Sequence, residues 1–322
     1  MSERLDGLVA LITGAGGGIG RGVALTFARE GASVVVNDLG TSPFGGGSDV
    51  SRAKSVVDEI RADGGIAVEN TGDITDPVAA EAMVNQAIAT YGKLDILVNV
   101  AGTTRLCTIL DATDDDWDSQ MRTHLRGYFN TTRYAARHWV ERGEYGRLIN
   151  FTSGAGHTDS PPSVLSYGTA KAGVIGFTRG CANALAVYNV TANLISPGSY
   201  GTPMAAAIIK GAESSNTEGT KNDPIRISPI VAFLASPRAG HVSGRVFGAA
   251  ENDYALFSEP SVERGINRDF LIDPDGVYEE IENSLCADLS LADLPYPTIK
   301  LPSTWRDDYG LFVPRLDPAT LE

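Results

Sequence analysis

A hydroxyl, a phenol and an ammonium lie close together between Ser153 and Lys171, in the stretch SGAGHTDSPPSVLSYGTAK. Tyr167 and Lys171 are four residues apart, so on a helix they share a face. Ser153 stands where the apolar run from Arg147 to Thr152 gives out, at what reads as a strand end. A phenol beside a cation can exchange a proton near neutral pH. Bringing a tyrosine from about 10 to about 7 needs roughly 4 kcal/mol. One positive charge at about 4 Å, with an effective dielectric near 20, supplies about that much. Such a pair is useful only beside a group that must gain or lose a proton, so the surrounding elements have to bring one.

They do so at the start of the chain. Leu8–Thr13 is a short apolar run of the kind that forms a strand buried on both faces. The turn Gly14-Ala15-Gly16-Gly17-Gly18-Ile19-Gly20 follows, then an amphipathic helix to about Glu30 and a second buried strand, Ser33–Asn37. This is a βαβ unit, and its glycine turn can bring a pyrophosphate against the N–H groups of a helix N-terminus. Asp38 comes 18 residues after Gly20, at the end of the second strand. A carboxylate there accepts hydrogen bonds from an adenosine ribose and repels a 2′-phosphate, which selects NAD over NADP.

The glycine-rich loop Leu39–Asp49 is longer than a minimal connection. Beyond it a helix is expected over Val50–Ala62, a strand over Ile66–Glu69 and a helix capped near Thr75 or Asp76 that runs to about Tyr91. Leu94–Val98 reads as a strand ending in Asn99-Val100-Ala101-Gly102, small residues that let a flat group approach the backbone. One long helix is expected over Asp115–Glu141 and another over Ser166–Tyr188, with the strand Arg147–Thr152 between them. Ala170, Gly173 and Gly176 give the second of these helices a small face suited to close packing, including against another subunit. Val190–Ile195 is the next strand, closed by Ser196-Pro197-Gly198. A polar stretch, Thr202–Asn222, fits a lid, and Pro224–Ala235 and Arg245–Gly248 complete the pattern as helix and strand.

Alternating strands and helices imply an α/β, Rossmann-like, doubly wound and mostly parallel sheet of seven strands with helices on both faces. In such sheets ligands bind at the carboxyl ends of the strands. The glycine turn, Asp38, Asn99–Gly102, Ser153 and Pro197–Thr202 all fall at those ends and converge on one cleft. From about Phe257 scattered prolines and aromatics replace the pattern, with one helical stretch over Pro274–Leu285. The expected organisation is therefore a domain over 1–256 and an extension over 257–322 that packs on it or on a neighbouring subunit.

Composition narrows the partners. With 322 residues, 43% of them hydrophobic, the chain can bury a large core. Its net charge of −14 argues against nucleic acid and anionic membrane surfaces. Cys107, Cys181 and Cys286 are odd in number and in no metal spacing, so no metal is expected and the thiols suit a reducing cytosol. No apolar run approaches the roughly 20 residues that span a bilayer. A cytoplasmic protein acting on a small-molecule substrate is the expectation.

These motifs together resemble the short-chain dehydrogenase/reductase family. The match comprises Thr13-Gly14 with Gly18-Ile19-Gly20, Asn99-Val100-Ala101-Gly102, Ser153, Tyr167 with Lys171, and Pro197-Gly198 with Thr202, in order over about residues 5–250. The resemblance implies reversible hydride transfer between a secondary alcohol and NAD. Ser153 would bind the alcohol oxygen, Tyr167 would carry the proton, and Lys171 would hold the nicotinamide ribose and stabilise the phenolate. Thr202 would meet the carboxamide, Asp73 with Ile74 the adenine, and Asn99 the adenine-side ribose. His124 stands where most of the family has an Asn whose backbone carbonyl holds a water, so it is either a relay residue through its backbone or a packed helix residue. Assembly as a homo-dimer or homo-tetramer is also implied.

A narrower likeness rests on VVVNDLG at Val34–Gly40, the insert after it and His124-Leu125-Arg126-Gly127. These are similar to the dehydrogenase unit of peroxisomal multifunctional enzymes of type 2, also known as 17β-hydroxysteroid dehydrogenase type 4, and to bacterial relatives in lipid and sterol degradation. That likeness implies a 3-hydroxyacyl-CoA or steroid-type substrate, with Arg105, Arg122 and Arg126 available to CoA phosphates. Other secondary alcohols such as terpenes, and a non-catalytic NAD-binding scaffold, remain open alternatives. His157 reads as a loop residue rather than a ligand contact.

Overall fold

The computed structural model describes residues 4–158, 160–198, 200–208, 218–251, 253–263 and 281–286. Its sheet has the order β3-β2-β1-β4-β5-β6-β7-β8. β1 (Val9–Thr13), β2 (Ser33–Asn37), β3 (Ile66–Asn70), β4 (Ile96–Asn99), β5 (Gly146–Phe151), β6 (Val190–Pro197) and β7 (Val246–Ala250) run parallel. β8 (Asp253–Leu256) pairs antiparallel with β7.

This eighth strand corrects the expected count of seven. All four of its residues are exposed, so no buried apolar run announces it. Its register comes instead from a tight turn after Ala250 in which Glu251 takes a left-handed φ of 53°. An edge strand of this kind is set by pairing rather than by burial.

Each central strand feeds both faces of the sheet, as a side-chain period of two requires. On β1, Ala10 and Ile12 join one buried cluster and Val9 and Leu11 the other. The first cluster packs under α1 (Gly18–Arg29), α2 (Ser51–Ala62) and α8 (Ser228–Ala235). The second packs under α3 (Pro77–Tyr91), α5 (Gly127–Arg142) and α6 (Leu165–Leu185). The remaining helices, α4 (Asp114–Gln120) and α7 (Pro203–Ile208), flank the strand ends.

Helix limits follow local chemistry. α3 opens with Asp76 accepting from the Val78 N–H and Pro77 in its first turn, and stops at Gly92 with φ 82°. At α4, Thr113 and Asp116 form a reciprocal capping box, and Asp114 to Asp116 sit at the positive end of the helix dipole. The single long helix expected over Asp115–Glu141 is in fact three pieces: α4, a π-turn over Met121–Arg126, and α5. One extra residue per turn leaves the hydrophobic pattern readable as a continuous helix, which is why spacing did not reveal it.

The order of strands reverses between β1 and β4, and their carboxyl ends diverge there to open a crevice. The residues through Phe257 form one compact unit, and a second begins at Ser258. Of the second, residues 258–263 and 281–286 are described, the latter holding a short π-turn, Ile281–Leu285. The rest of the expected 257–322 extension, most of its predicted helix over Pro274–Leu285, and residues 209–217 of the expected lid lie outside the described residues.

Candidate active site

A cleft of about 870 Å³ runs along the carboxyl ends of the strands, from Asp38 at one end to Tyr167 at the other. It is lined by Gly14, Gly18, Ile19, Gly20, Asp38, Asp73, Ile74, Ala101, Gly102, His124, Ser153, Tyr167, Lys171, Pro197, Gly198 and Thr202. Asn99 is the expected site residue that does not reach it. Its side chain is fully buried, donates to Asn150 at 2.9 Å and accepts from the Thr131 hydroxyl at 2.9 Å. Those bonds tie β4 to β5 and α5, so the Asn99 amide is engaged in the scaffold.

The glycine turn is shaped to approach an anion. A Cβ on Gly20 would lie 2.1 Å from the Gly14 carbonyl oxygen, so the turn closes only without one, whereas Gly17 opens onto space with nothing within 4 Å. No side chain caps the first turn of α1, which leaves its N–H groups directed at the cleft. Asp38 is held by two backbone donors, Gly16 N at 2.8 Å and Gly40 N at 2.7 Å. These amides, the uncapped helix end and the fixed carboxylate suit a dinucleotide with a negatively charged centre and a hydroxylated ribose.

Two further residues complete this end: Thr13, from the turn motif itself, and Arg52, which sequence spacing did not single out. Thr13 accepts from the N–H groups of Val100 and Ala101 at 3.2 and 3.3 Å, fastening the loop after β4 to the glycine turn. Arg52 lines the cleft beside Asp38 and donates to the Thr41 carbonyl. Its place on a polar helix face gave no signal. The Leu39–Asp49 insert crosses to the other side of the crevice, where Pro43 accepts from Thr104 N at 2.9 Å and Phe44 accepts from Arg105.

The other end is an acid–base corner. Ser153 lies just beyond β5, caps the short helical turn Gly154–Gly156 and lines the cleft with Tyr167. Lys171, one turn further along α6, is buried and donates to the Phe151 carbonyl at 2.8 Å. Burial pushes the Tyr167 phenol up, with the Ser153 hydroxyl opposing, and pushes Lys171 down to about 7. The ammonium lies 5.7 Å from the centre of the Tyr167 ring.

His124 sits in the π-turn, fully buried, with Nε2 2.7 Å from the Thr103 carbonyl. A carbonyl only accepts, so Nε2 carries the proton. Burial first, then the charge of Lys171, hold His124 well below the usual histidine range, and the ring stays neutral. Its plane stands at 86° to the Tyr167 ring, with centroids 5.2 Å apart. Gly102 makes room for it, because a Cβ there would come within 2.5 Å of the imidazole.

Around the rim, Arg105 and Arg122 line the cleft, whereas Arg126 stacks over Phe129. His157 bonds Ser196 at 2.9 Å and packs edge-on against Phe257, outside the cleft lining. Thr202 touches the glycine turn, its methyl 3.3 Å from where a Gly18 Cβ would stand, and caps α7 through Ala205 N. No helix among the described residues is long and apolar enough to cross a membrane.

Residues 8–213 match the family model described as short chain dehydrogenase. A hydroxyacyl-CoA dehydrogenase, ChsB1, of Mycobacterium tuberculosis is 38% identical over 82% of this chain and 84% of its own length. The peroxisomal multifunctional enzyme type 2 of Mus musculus is also 38% identical, over 72% of this chain and 30% of that longer protein. Among solved structures, a short chain dehydrogenase from Mycobacterium avium is 34% identical, covers 88% of this chain and 96% of its own, and superposes with a TM-score of 0.75.

Proposed function

Because the chain belongs to the short-chain dehydrogenase family, oxidoreductases that act on CH–OH groups with a nicotinamide cofactor, we propose that it oxidises a 3-hydroxyacyl-CoA or steroid-type secondary alcohol with NAD in lipid or sterol degradation. The observation that carries this reading is the shared cleft: Ser153, Tyr167 and Lys171 line the same crevice as the glycine turn and Asp38. Arg105 and Arg122 on its rim, in a chain of net charge −14, give a CoA phosphate local cations. Two relatives named above are a hydroxyacyl-CoA dehydrogenase and a multifunctional enzyme with a longer chain.

In this reading Asp38 takes the adenosine ribose, the uncapped end of α1 the pyrophosphate, Asp73 and Ile74 the adenine side, and Thr202 the carboxamide. Bound there, oxidised nicotinamide would accept the hydride that leaves the alcohol carbon. Ser153 donates a hydrogen bond to the alcohol oxygen and orients it toward Tyr167. Tyr167 removes the hydroxyl proton as general base. Lys171 holds the nicotinamide ribose and, while charged, favours the phenolate. Asp38 selects NAD because a 2′-phosphate would meet a carboxylate. The same reading includes a homo-dimer or homo-tetramer, which light scattering would size.

A substrate panel with NAD tests it, using 3-hydroxyacyl-CoA esters, hydroxysteroids and terpene alcohols and following NADH absorbance. Turnover of the CoA esters or hydroxysteroids, with NAD favoured over NADP, is expected. Turnover confined to terpene alcohols would overturn the substrate class, and none with any alcohol would favour a scaffold.

A further inference from the structure

Tyr128 lies outside every motif that marks the site. It is on α5, one helical turn after His124, and is completely buried. Its hydroxyl is 3.5 Å from the Lys171 ammonium, and the ammonium stands 5.3 Å from its ring centre. Lys171 is thus flanked by two phenol rings, Tyr128 on one side and Tyr167 on the other, and is bonded to the Phe151 carbonyl. Ring faces at these distances attract a cation, and do so more strongly where water is excluded.

The groups around Lys171 leave it little other electrostatic support. α6 contributes Tyr167, the end of β5 contributes the Phe151 carbonyl and Ser153, and the π-turn with α5 contributes His124 and Tyr128. Among the described residues no carboxylate is bonded to it. His124 is neutral, and burial with the nearby Tyr167 pushes Tyr128 well above the ordinary tyrosine range. Tyr128 therefore keeps its proton and presents a neutral oxygen as acceptor throughout the range in which Lys171 titrates.

We propose that Tyr128 is a positioning residue for the acid–base pair: its phenol oxygen and ring face hold the ammonium of Lys171 beside Tyr167. The kinetic part of this inference rests on the dehydrogenase reading; the electrostatic part does not.

The test compares Tyr128→Phe, which keeps the ring and removes the oxygen, with Tyr128→Leu, which removes both. Lysine carrying a ¹³C label at Cε is titrated by NMR in the folded protein without cofactor or substrate, with Lys171 identified by its missing signal in Lys171→Arg. The Lys171 midpoint falls by about half a unit in the Phe variant and about one unit in the Leu variant. In alcohol oxidation the rising limb of kcat against pH then moves to higher pH in the same order, because a less charged lysine gives the phenolate less help. KM for substrate stays within about twofold. Core packing alone would change melting temperature without moving the midpoint, so an unchanged midpoint in either folded variant overturns the proposal. A falling midpoint in a protein that oxidises no alcohol supports the role of Tyr128 and counts against the dehydrogenase reading instead.

Discussion

Two buried charges mark opposite ends of the sheet, and they are treated differently. Asp95, just before β4, is 0% exposed and fully engaged: Val9 N donates at 2.8 Å, Lys93 at 2.9 Å and Arg142 at 2.7 Å. Lys171, at the carboxyl ends, is 3% exposed and has one carbonyl at hydrogen-bond distance and a phenol oxygen at its limit. A paired buried charge is a fastening, here between β1, β4 and α5. A buried charge without its counter-ion is unstable in one protonation state, and proteins keep such groups where that instability is used.

The largest effect expected from this contrast is catalytic. Tyr167→Phe should lower kcat by about 10³-fold, about 4 kcal/mol, with cofactor binding intact by fluorescence titration. Retained turnover would remove the acid–base role from the corner that Lys171 serves.

Asp95→Ala should destabilise by about 3 kcal/mol in denaturant melts, since it strands two cations and a buried N–H. The kcat of its folded fraction should match wild type. A catalytic defect without lost stability would erase the distinction between the two ends.

Lys171→Met should abolish turnover yet stabilise the fold by about 2 kcal/mol at neutral pH. The sign follows from linkage. Lys171 is held at about 7 in the fold against 10.5 ordinarily, so the unfolded chain binds the extra proton between those values. Wild-type stability therefore rises with pH across that window, and the penalty is complete below about 7. The advantage of the Met variant should shrink as pH approaches 10. An advantage independent of pH would mean that burial does not lower the proton affinity of Lys171.

The smallest effect belongs to the cofactor end. Asp38→Ala should shift the NAD-to-NADP ratio of kcat/KM by about tenfold toward NADP, roughly 1.4 kcal/mol, because Arg52 stays beside the vacated carboxylate. An unchanged ratio would take cofactor choice away from Asp38.

The cofactor end was the more legible half because main-chain geometry builds it. Glycines at set intervals and a carboxylate at a strand end carry their meaning in local spacing, and the crevice follows from where strands alternate with helices. Ser153, Tyr167 and Lys171 were legible for a related reason: two of them share one helical face and the third follows a strand. The direction of the Asn99 amide was not legible, because a strand-end position does not tell which way it turns, and Asn150 and Thr131, far along the chain, decide that. His124 was readable as a site residue but not as a neutral imidazole set edge-on to Tyr167. That depends on a π-turn, on Gly102 leaving room and on the Thr103 carbonyl, none of them encoded by periodicity.

From the sequence alone came the βαβ start, the mostly parallel sheet, the family and the residue types able to move a proton. Those depend on interactions within a few residues, where spacing translates directly into geometry. Only the tertiary structure decided the eighth strand, the inward turn of Asn99, the place of Tyr128 against Lys171, and the charge that Lys171 carries. Each of these depends on contacts between distant segments and on how much water those contacts exclude, and burial in that sense is a property of the packed molecule rather than of any stretch of chain.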